Sequence, residues 1–465
     1  MSVRRTRIVT DKVVDLEFKP QDEQKKIKIL TISDHPLSPS GVGTQTKYFI
    51  AEMLKTGKFE FFSLGGAIKH DNYQPVRTQE FGDDWIIAPV DGYGNPDIVR
   101  SVLRTQKPDI LWFMTDPRFF TWLWDMENEI RSLVPMVYYH VWDNYPYPTY
   151  NKIWYDSTDH VVTISKLTSD IVKTVSPKTD ETYLPHAVPT DMFKKVSNIE
   201  RNNYRKEHLG IEEDDDHLLI FWNNRNARRK QSGSLIFWFK EFLTKLQKKN
   251  KNAKATLLMH TEPRDPNGQD LYAIINNLGL AHGEVLISTQ KVDLANLNQI
   301  YNAADVTIGI SDAEGFGLAT FESLAAETPI IVTMTGGLQE QVTSIKKVTH
   351  KSMLTRNKKS KNVTEYEHGI GLEPVSKSII GSQEVPFIYE DRVNGETVAD
   401  ALLMMYEYGP AKRAELGAAG RAHVEKNYNF TKFVKKWENI LLDTYKKHGS
   451  WETRKNYKSW ELRAL

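Results

Sequence analysis

The stretch from 311 to 327, SDAEGFGLATFESLAAE, sets two carboxylates, Glu314 and Glu322, around a glycine-bracketed aromatic, Gly315-Phe316-Gly317. The apolar run DVTIGI before it reads as a strand, and LATFESLAAE after it as a helix. The bracketed segment therefore falls at a helix N-terminus, where backbone N–H groups and the helix dipole attract anions. A carboxylate beside such a site is unfavourable unless it binds hydroxyls, which carboxylates do well. A phosphate-bearing sugar presents both groups. Taken alone, the stretch is equally compatible with a plain strand-to-helix turn carrying solvated glutamates.

A second candidate is NNRNARRKQ, 223 to 231, which follows the apolar run HLLIFWNN. It places Arg225 and Lys230 in a strand-to-helix loop, again at the carboxyl edge of a sheet. Fixed cations there suit a diphosphate leaving group, because they neutralise charge that grows as the bond breaks. Most charge runs are simply solvated loops. SPSGVGT, 38 to 44, is a glycine loop after the first strand and carries Gly41 and Gly43. It lacks the third glycine of the dinucleotide fingerprint and the lysine of a P-loop. In HVWDN, His140 ends a strand and either points into a cleft or serves a structural role, the commoner fate of a lone strand-end histidine. EEDDDH, 212 to 217, holds a spaced aspartate pair of the sort that binds divalent cations. It lies in a charged connector before a strand and reads as solvated, so no metal is expected.

These candidates need a scaffold that brings strand ends together. KKIKILTIS, PDILWFM, VPMVYYHVWD and HVVTIS are continuous apolar runs separated by loops and helical spacings, the pattern of parallel strands buried on both faces. A second series runs through HLLIFWNN, KATLLMH, EVLIST, DVTIGI and PIIVTM. The fold class is therefore α/β, two facing Rossmann-like doubly wound domains with a cleft at the carboxyl ends of their strands. The boundaries read as a polar leader over 1–24, a first domain over 25–197, a linker over 198–216, a second domain over 217–425, and C-terminal helices over 426–465 crossing the junction. Those helices include Trp451 and Trp460. A formal net charge of +1 argues against bulk electrostatic attraction to nucleic acid or membrane. The absence of cysteine excludes disulfides and thiolate metal sites. No apolar run approaches the roughly 20 residues that span a bilayer, and MSVRRTRIVTDKVV lacks the apolar core of a signal peptide. A soluble cytoplasmic protein is expected.

Together these stretches resemble the family four retaining glycosyltransferases of GT-B architecture. The resemblance rests on Glu314 and Glu322 in EGFGLATFE, on TPIIVT and the glycine pair that follow, and on the spacing of Arg225 and Lys230. LPHAVPTDMF and QIYNAADV add to it. It is good over 216–340 and looser in the first half. It implies an acceptor-side first domain and a donor-side second domain binding a nucleotide sugar, a UDP- or GDP-sugar, with no cofactor or metal required. On this resemblance Arg225 and Lys230 would hold the donor diphosphate. Glu314 would contact hydroxyls of the transferred sugar, helped by the backbone amides of Phe316, Gly317 and Leu318. Glu322 would bind the ribose, Gly41 and Gly43 would let the first domain close on the phosphates, and His140 would lie near the reacting sugar. The family's retention is attributed to front-face attack, the leaving phosphate taking the acceptor's proton, so neither glutamate need be a nucleophile. A hydrolase would instead need two carboxylates flanking the bond at a set separation.

One departure from the family pattern follows GGLQEQV. A run free of acidic residues from Lys346 to Asn362 intervenes, and then HGIGLEPVSKSIIGSQEVPFIYED. The basic stretch, 346–361, reads as a solvated loop or as a rest for a polyanion. The first half is rich in aromatics, WFMTDPRFFTWLW and YYHVWDNYPYPTYNKIWY, which serve as core or stack on sugars or a flipped base. The usual family acceptor is a glycan or lipid-linked glycan. The alternative is a hydroxymethylated base in DNA such as 5-hydroxymethylcytosine, as phage glycosyltransferases of similar architecture modify in the host cytoplasm. A nucleotide-sugar epimerase on the same scaffold is the more remote reading.

Overall fold

The computed structural model describes residues 5–9, 12–16, 25–213, 215–344 and 362–459. The basic stretch 346–361 and Trp460 lie outside the described residues. Within the segment read as a polar leader, β1 (Arg5–Val9) and β2 (Lys12–Leu16) pair antiparallel, with Arg5 opposite Leu16. RTRIV and KVVDL carry β-branched residues, which favour an extended chain.

The first sheet is built from β3 (Ile27–Asp34), β4 (Phe59–Gly66), β5 (Val76–Arg77), β6 (Trp85–Pro89), β7 (Ile110–Thr115), β8 (Met136–His140), β9 (His160–Thr163) and β10 (Glu181–Tyr183). Its order is β10-β9-β8-β7-β3-β4-β6-β5, parallel except for the edge strand β5. The second sheet contains β11 (His217–Asn223), β12 (Lys254–His260), β13 (Val285–Ser288), β14 (Val306–Gly309), β15 (Ile330–Thr333), β16 (Val363–Tyr366) and β17 (Gly369–Leu372). Its order is β13-β12-β11-β14-β15-β17-β16, again parallel except for the edge strand β16. Every residue of β7, β8, β14 and β15 is buried, as central strands covered by helices on both faces must be. The aromatic residues Trp112, Tyr138, Tyr139, Trp142 and Tyr155 belong to that buried core.

Strand order fixes where a ligand can sit. In the first sheet the chain runs outward from β3 through β4 to β6, then returns to the other side of β3 as β7. In the second it runs outward from β11 through β12 to β13, then returns beside β11 as β14. Each reversal leaves a crevice at the carboxyl ends of the two inner strands. Those ends carry the glycine loop and Asp116 in the first sheet, and both NNRNARRKQ and SDAEGFG in the second.

Among the described residues, three groups of contacts between the halves bear on the site. The Glu340 carboxylate accepts from the backbone N–H of Lys166 at 2.6 Å, capping the helix Lys166–Val175 of the first half, and from the Tyr183 hydroxyl at 3.2 Å. The helix Gly409–Asn427 packs on the second half, and the chain then crosses so that the helix Phe430–His448 lies on the first. Its Trp437 is buried against Phe49, Trp112 and Tyr139, with ring centroids 4.8, 6.0 and 4.9 Å away. The third contact is a hairpin, β18 (Ser376–Ile380) and β19 (Ile388–Arg392), in the segment that departs from the family pattern. It leaves the second half and docks on the first. Tyr389 N–H donates to the Tyr145 carbonyl at 2.7 Å, the Tyr150 hydroxyl donates to the Phe387 carbonyl at 2.6 Å, and Val385 is buried in the first half's core.

Within the second half, Asp305 immediately before β14 is a charged node. Its carboxylate accepts from Leu219 N–H at 2.8 Å, Arg201 at 2.9 Å, Arg205 at 3.1 Å and Arg413 at 3.4 Å. It thereby ties β11 to the helices Asn198–Leu209 and Gly409–Asn427. Among the described residues no helix is long and apolar enough to cross a membrane.

Candidate active site

The two motifs of the second sheet meet. After β11 the chain turns through Arg228–Lys230, a single 3-10 turn, and Gln231 at φ +58° leads into the helix Ser232–Lys249. Asn226 holds this loop in place. Its amide donates to the Gln269 and Pro263 carbonyls at 2.7 and 3.2 Å, and its oxygen accepts from Ser232 Oγ. The turn delivers Lys230 onto Glu314: the ammonium hydrogen-bonds Glu314 Oε2, Ser311 Oγ donates to the same oxygen at 3.1 Å, and Arg229 stands 3.5 Å away. Burial alone would raise the Glu314 carboxyl, but Lys230 and Arg229 outweigh it and hold it at about 2. Burial lowers the Lys230 ammonium against the pull of Glu314. Glu314 is therefore ionised at neutral pH, and the side chains of the pair are only 12% and 14% exposed.

Of the two cations singled out by spacing, Lys230 is at this centre and Arg225 is at the rim. Arg225 is 63% exposed and forks onto Asp265 with bonds of 2.6 and 3.2 Å. The second cation beside Glu314 is Arg229, whose guanidinium also donates to the Ala313 carbonyl at 2.6 Å. Three consecutive basic residues do not reveal by spacing which faces inward on a 3-10 turn. The third, Arg228, forks onto Glu390 of the hairpin.

Gly317, at φ +90°, begins the helix Leu318–Ala325, and Gln341 Nε2 donates to the Phe316 and Gly317 carbonyls at 2.6 and 3.0 Å. The Phe316 ring is core, packed on His186, Phe321 and Tyr428, so this residue offers the cleft its backbone. Across the cleft, Ser40 caps the helix Gly41–Lys55 by accepting from Gly43 N–H at 2.9 Å, and it donates to Asp34 at 2.6 Å. A Cβ on Gly41 would lie 3.2 Å from Leu318 Cδ1, so the two glycine loops face each other in near contact. Glu322 is buried on a separate wall. Tyr301 donates to it at 2.7 Å and is itself held by Asn223 at 2.9 Å, while burial pushes its carboxyl up to about 7.

His140 is not at the cleft surface. Its ring is fully buried, its Nε2 is 2.8 Å from the Tyr155 hydroxyl, and burial holds its pKa at about 3. The physical reason is that β8 is a central strand covered on both faces. The charged group that this strand end supplies lies three residues on, at Asp143, which faces Arg229, Lys230 and Glu314. With Arg229, Asn226 and Asp116, it belongs to the candidate site residues that the sequence motifs did not single out. At the mouth a cavity of about 520 Å³ is lined by Arg118, Phe119, Arg225, Asn267 and Glu384. In the 212–217 connector, Asp215 pairs with Lys254 at 3.5 Å, and Asp216 accepts from Asn250 and Tyr406. Among the described residues no cluster of His, Asp and Glu is placed to hold a metal.

Gly336 closes the floor. It adopts φ +47°, and a Cβ there would lie 1.9 Å from the Glu314 carbonyl oxygen and 2.8 Å from that of Asp143. Gly336→Ala is expected to cost roughly 2–4 kcal/mol through strain and overpacking, read as a lowered Tm. It should also displace Glu314, lowering turnover further than the stability loss explains.

Residues 227–363 match the family described as Glycosyl transferases group 1. An uncharacterized glycosyltransferase of Methanocaldococcus jannaschii is 27% identical over 183 residues, a stretch that covers 39% of this chain and 43% of that protein. Solved structures are similar over nearly the whole length. Sucrose-phosphate synthase from Thermosynechococcus elongatus superposes with a TM-score of 0.66 at 15% identity, covering 91% of this chain and 100% of that one. HepE from Anabaena, solved with UDP and glucose, gives 0.62 at 12% identity over 90% and 100%. A glycosyltransferase from Rickettsia africae gives 0.62 at 16% identity over 90% and 99%. The chain thus has the two-domain GT-B fold, and its residues 227–363 carry a glycosyl transferases group 1 segment.

Proposed function

We propose that this protein is a group 1 glycosyltransferase that moves a sugar from a nucleotide-sugar donor to a hydroxyl acceptor, with retention and without a metal. The observation that carries this reading is the ion-paired centre of Lys230, Arg229 and Glu314. It is buried where the strand-order reversals of two facing sheets open onto one cleft. Two fixed cations at that point neutralise the diphosphate as it departs. A carboxylate held ionised between them is free to accept hydroxyls of the sugar. The diphosphate then replaces Glu314 as the partner of part of that positive charge. Gly317 and the helix N-terminus add backbone donors, and Glu322 suits a ribose.

HepE is solved with UDP and UDP-glucose, and a trehalose-6-phosphate synthase of the same fold is described as transferring with retention. These likenesses support a UDP-sugar donor and retention here. On the acceptor side, Asp116, Asp143 and Glu384 alternate with Arg118 and Arg225, so the described residues offer a polyanion such as DNA no continuous basic track, and a neutral polyhydroxyl acceptor is favoured. The aromatic runs are largely core, so they lend no support to stacking on an extruded base.

Titration with UDP, UDP-glucose, GDP and GDP-mannose tests the donor reading. One of these is expected to raise the thermal midpoint, by about 2.7 kcal/mol of stabilisation at 100 times its Kd. Nucleoside diphosphate release should then follow on addition of a hydroxylated acceptor. An epimerase would instead convert the donor with no acceptor present. Failure of every nucleotide to bind would reject the proposal.

A further inference from the structure

The loop after β8 carries one ionisable side chain into the cleft that the scheme above leaves without a role. Asp143 comes from the first half yet faces groups of the second: Arg229 and Lys230 on the basic turn, and Glu314 on the loop after β14. Asp116 and Tyr150 flank it from its own half. The Asp143 backbone lies against the opposite wall, as the 2.8 Å approach of a Gly336 Cβ to its carbonyl shows. Asp143 is partly exposed as a residue, whereas its neighbours Trp142 and Asn144 are buried.

The hairpin holds this loop and the basic turn together. Asn144 Nδ2 donates to the Tyr389 carbonyl and to Asp391 Oδ2, both at 3.2 Å. On the same strand, Glu390 receives Arg228, and Arg392 donates to Asp312 at 2.8 Å. One strand therefore fixes Asp143 from the first half and Arg229-Lys230 from the second in mutual register. Asn144 is a positioning residue in this arrangement.

We propose that Asp143 is a catalytic residue on the acceptor side, its carboxylate accepting a hydrogen bond from the attacking hydroxyl and then its proton. This rests on the glycosyltransferase reading and replaces the leaving phosphate as the first proton acceptor. The acceptor oxygen forms its bond to the anomeric carbon as its O–H proton passes to Asp143. The bond from that carbon to the diphosphate oxygen breaks, its electron pair remaining on the phosphate beside Arg229 and Lys230. Asp143 then returns the proton to solvent. Burial is the main influence on this carboxyl and takes it up to about 6; Arg229 and Lys230 pull against it, and Asp116 and Glu314 add to it. A base so placed is ionised at pH 7 and still basic enough to accept a proton in the transition state.

The test uses release of UDP from UDP-glucose, or of GDP from GDP-mannose if the wild-type protein binds that donor instead, first with water as acceptor and then with methyl glucosides. Asp143→Asn is expected to lower release by about 100-fold or more while leaving Tm and nucleoside diphosphate affinity unchanged. Wild-type release should rise as pH increases through about 6, and the variant should lack that acidic limb. Asp143→Glu should restore part of the rate and keep the limb. Unchanged release in Asp143→Asn, persistence of the limb, or loss of nucleoside diphosphate binding would each overturn the base role. Failure of the wild-type protein to bind any nucleotide sugar would count against the glycosyltransferase reading instead.

Discussion

Lys230→Ala is expected to lower nucleotide-sugar turnover by roughly 10³-fold and leave the protein folded. Lys230 is the closest cation to Glu314, and both lie almost out of solvent. In the resting site it helps to keep the carboxylate ionised; on the proposed function it would face the charge that develops on the donor diphosphate. Its removal takes away positive charge only where the reaction needs it. The fold should survive because Glu314 retains Arg229 and Ser311, and the loop is anchored independently by Asn226. Glu314→Ala should fall by a similar order, since Lys230 and Arg229 would then lack the carboxylate that aligns them. The double variant should lose less than the two losses multiplied, because the pair acts as a unit. Steady-state release of nucleoside diphosphate, read beside the thermal midpoint, checks this. Near-normal turnover in either single variant would overturn the site assignment.

The largest stability effect is expected at Asp305→Ala, about 3–5 kcal/mol. The substitution would leave Arg201, Arg205 and Arg413 converging without their shared carboxylate, and would strand the Leu219 N–H. Burial opposes ionisation of Asp305, but Arg205, Arg413 and Arg201 prevail and hold its carboxyl below the ordinary 3.8. A carboxyl depressed in the folded state contributes stability that is complete above its unfolded pKa. That contribution is lost as pH falls through the folded value. The variant should therefore show a lower urea midpoint at pH 7, and the difference from wild type should shrink toward pH 3 and below. An equal difference at both pH values would refute this account of the node.

Both effects trace to parts of the chain that differ in how openly the sequence displays them. The buried parallel strands are visible as continuous apolar runs, and two such series in succession indicate two sheets, each of which reverses its strand order internally. Glu314 and the glycines around Phe316 are visible because helix-start chemistry and apolar flanks coincide over a short span. Arg229 is not, because a 3-10 turn directs three successive cations three ways: Arg228 to the hairpin, Arg229 to the Ala313 carbonyl, Lys230 to Glu314. His140 stands out by residue type, but burial removes it from the cleft, and the partly exposed Asp143 three residues later carries no local signature. The hairpin's role was equally hidden. Its partners Asn144, Tyr145 and Tyr150 are more than 200 positions away, and no short-range pattern encodes such a pairing.

The crossing helix has a consequence for how the molecule is made. Trp437 completes a layer begun by Phe49, Trp112 and Tyr139, so the first sheet's core combines residues synthesised far apart in time. Roughly 250 residues are translated between Tyr183 and Trp437, which at about 5–20 residues per second takes tens of seconds. During that interval the nascent first domain lacks the Trp437 cover of its aromatic layer, where Phe49 stacks on Trp112. The second domain, whose strands are contiguous in the chain, becomes complete while the first still waits. The unit translated first is therefore the one finished last.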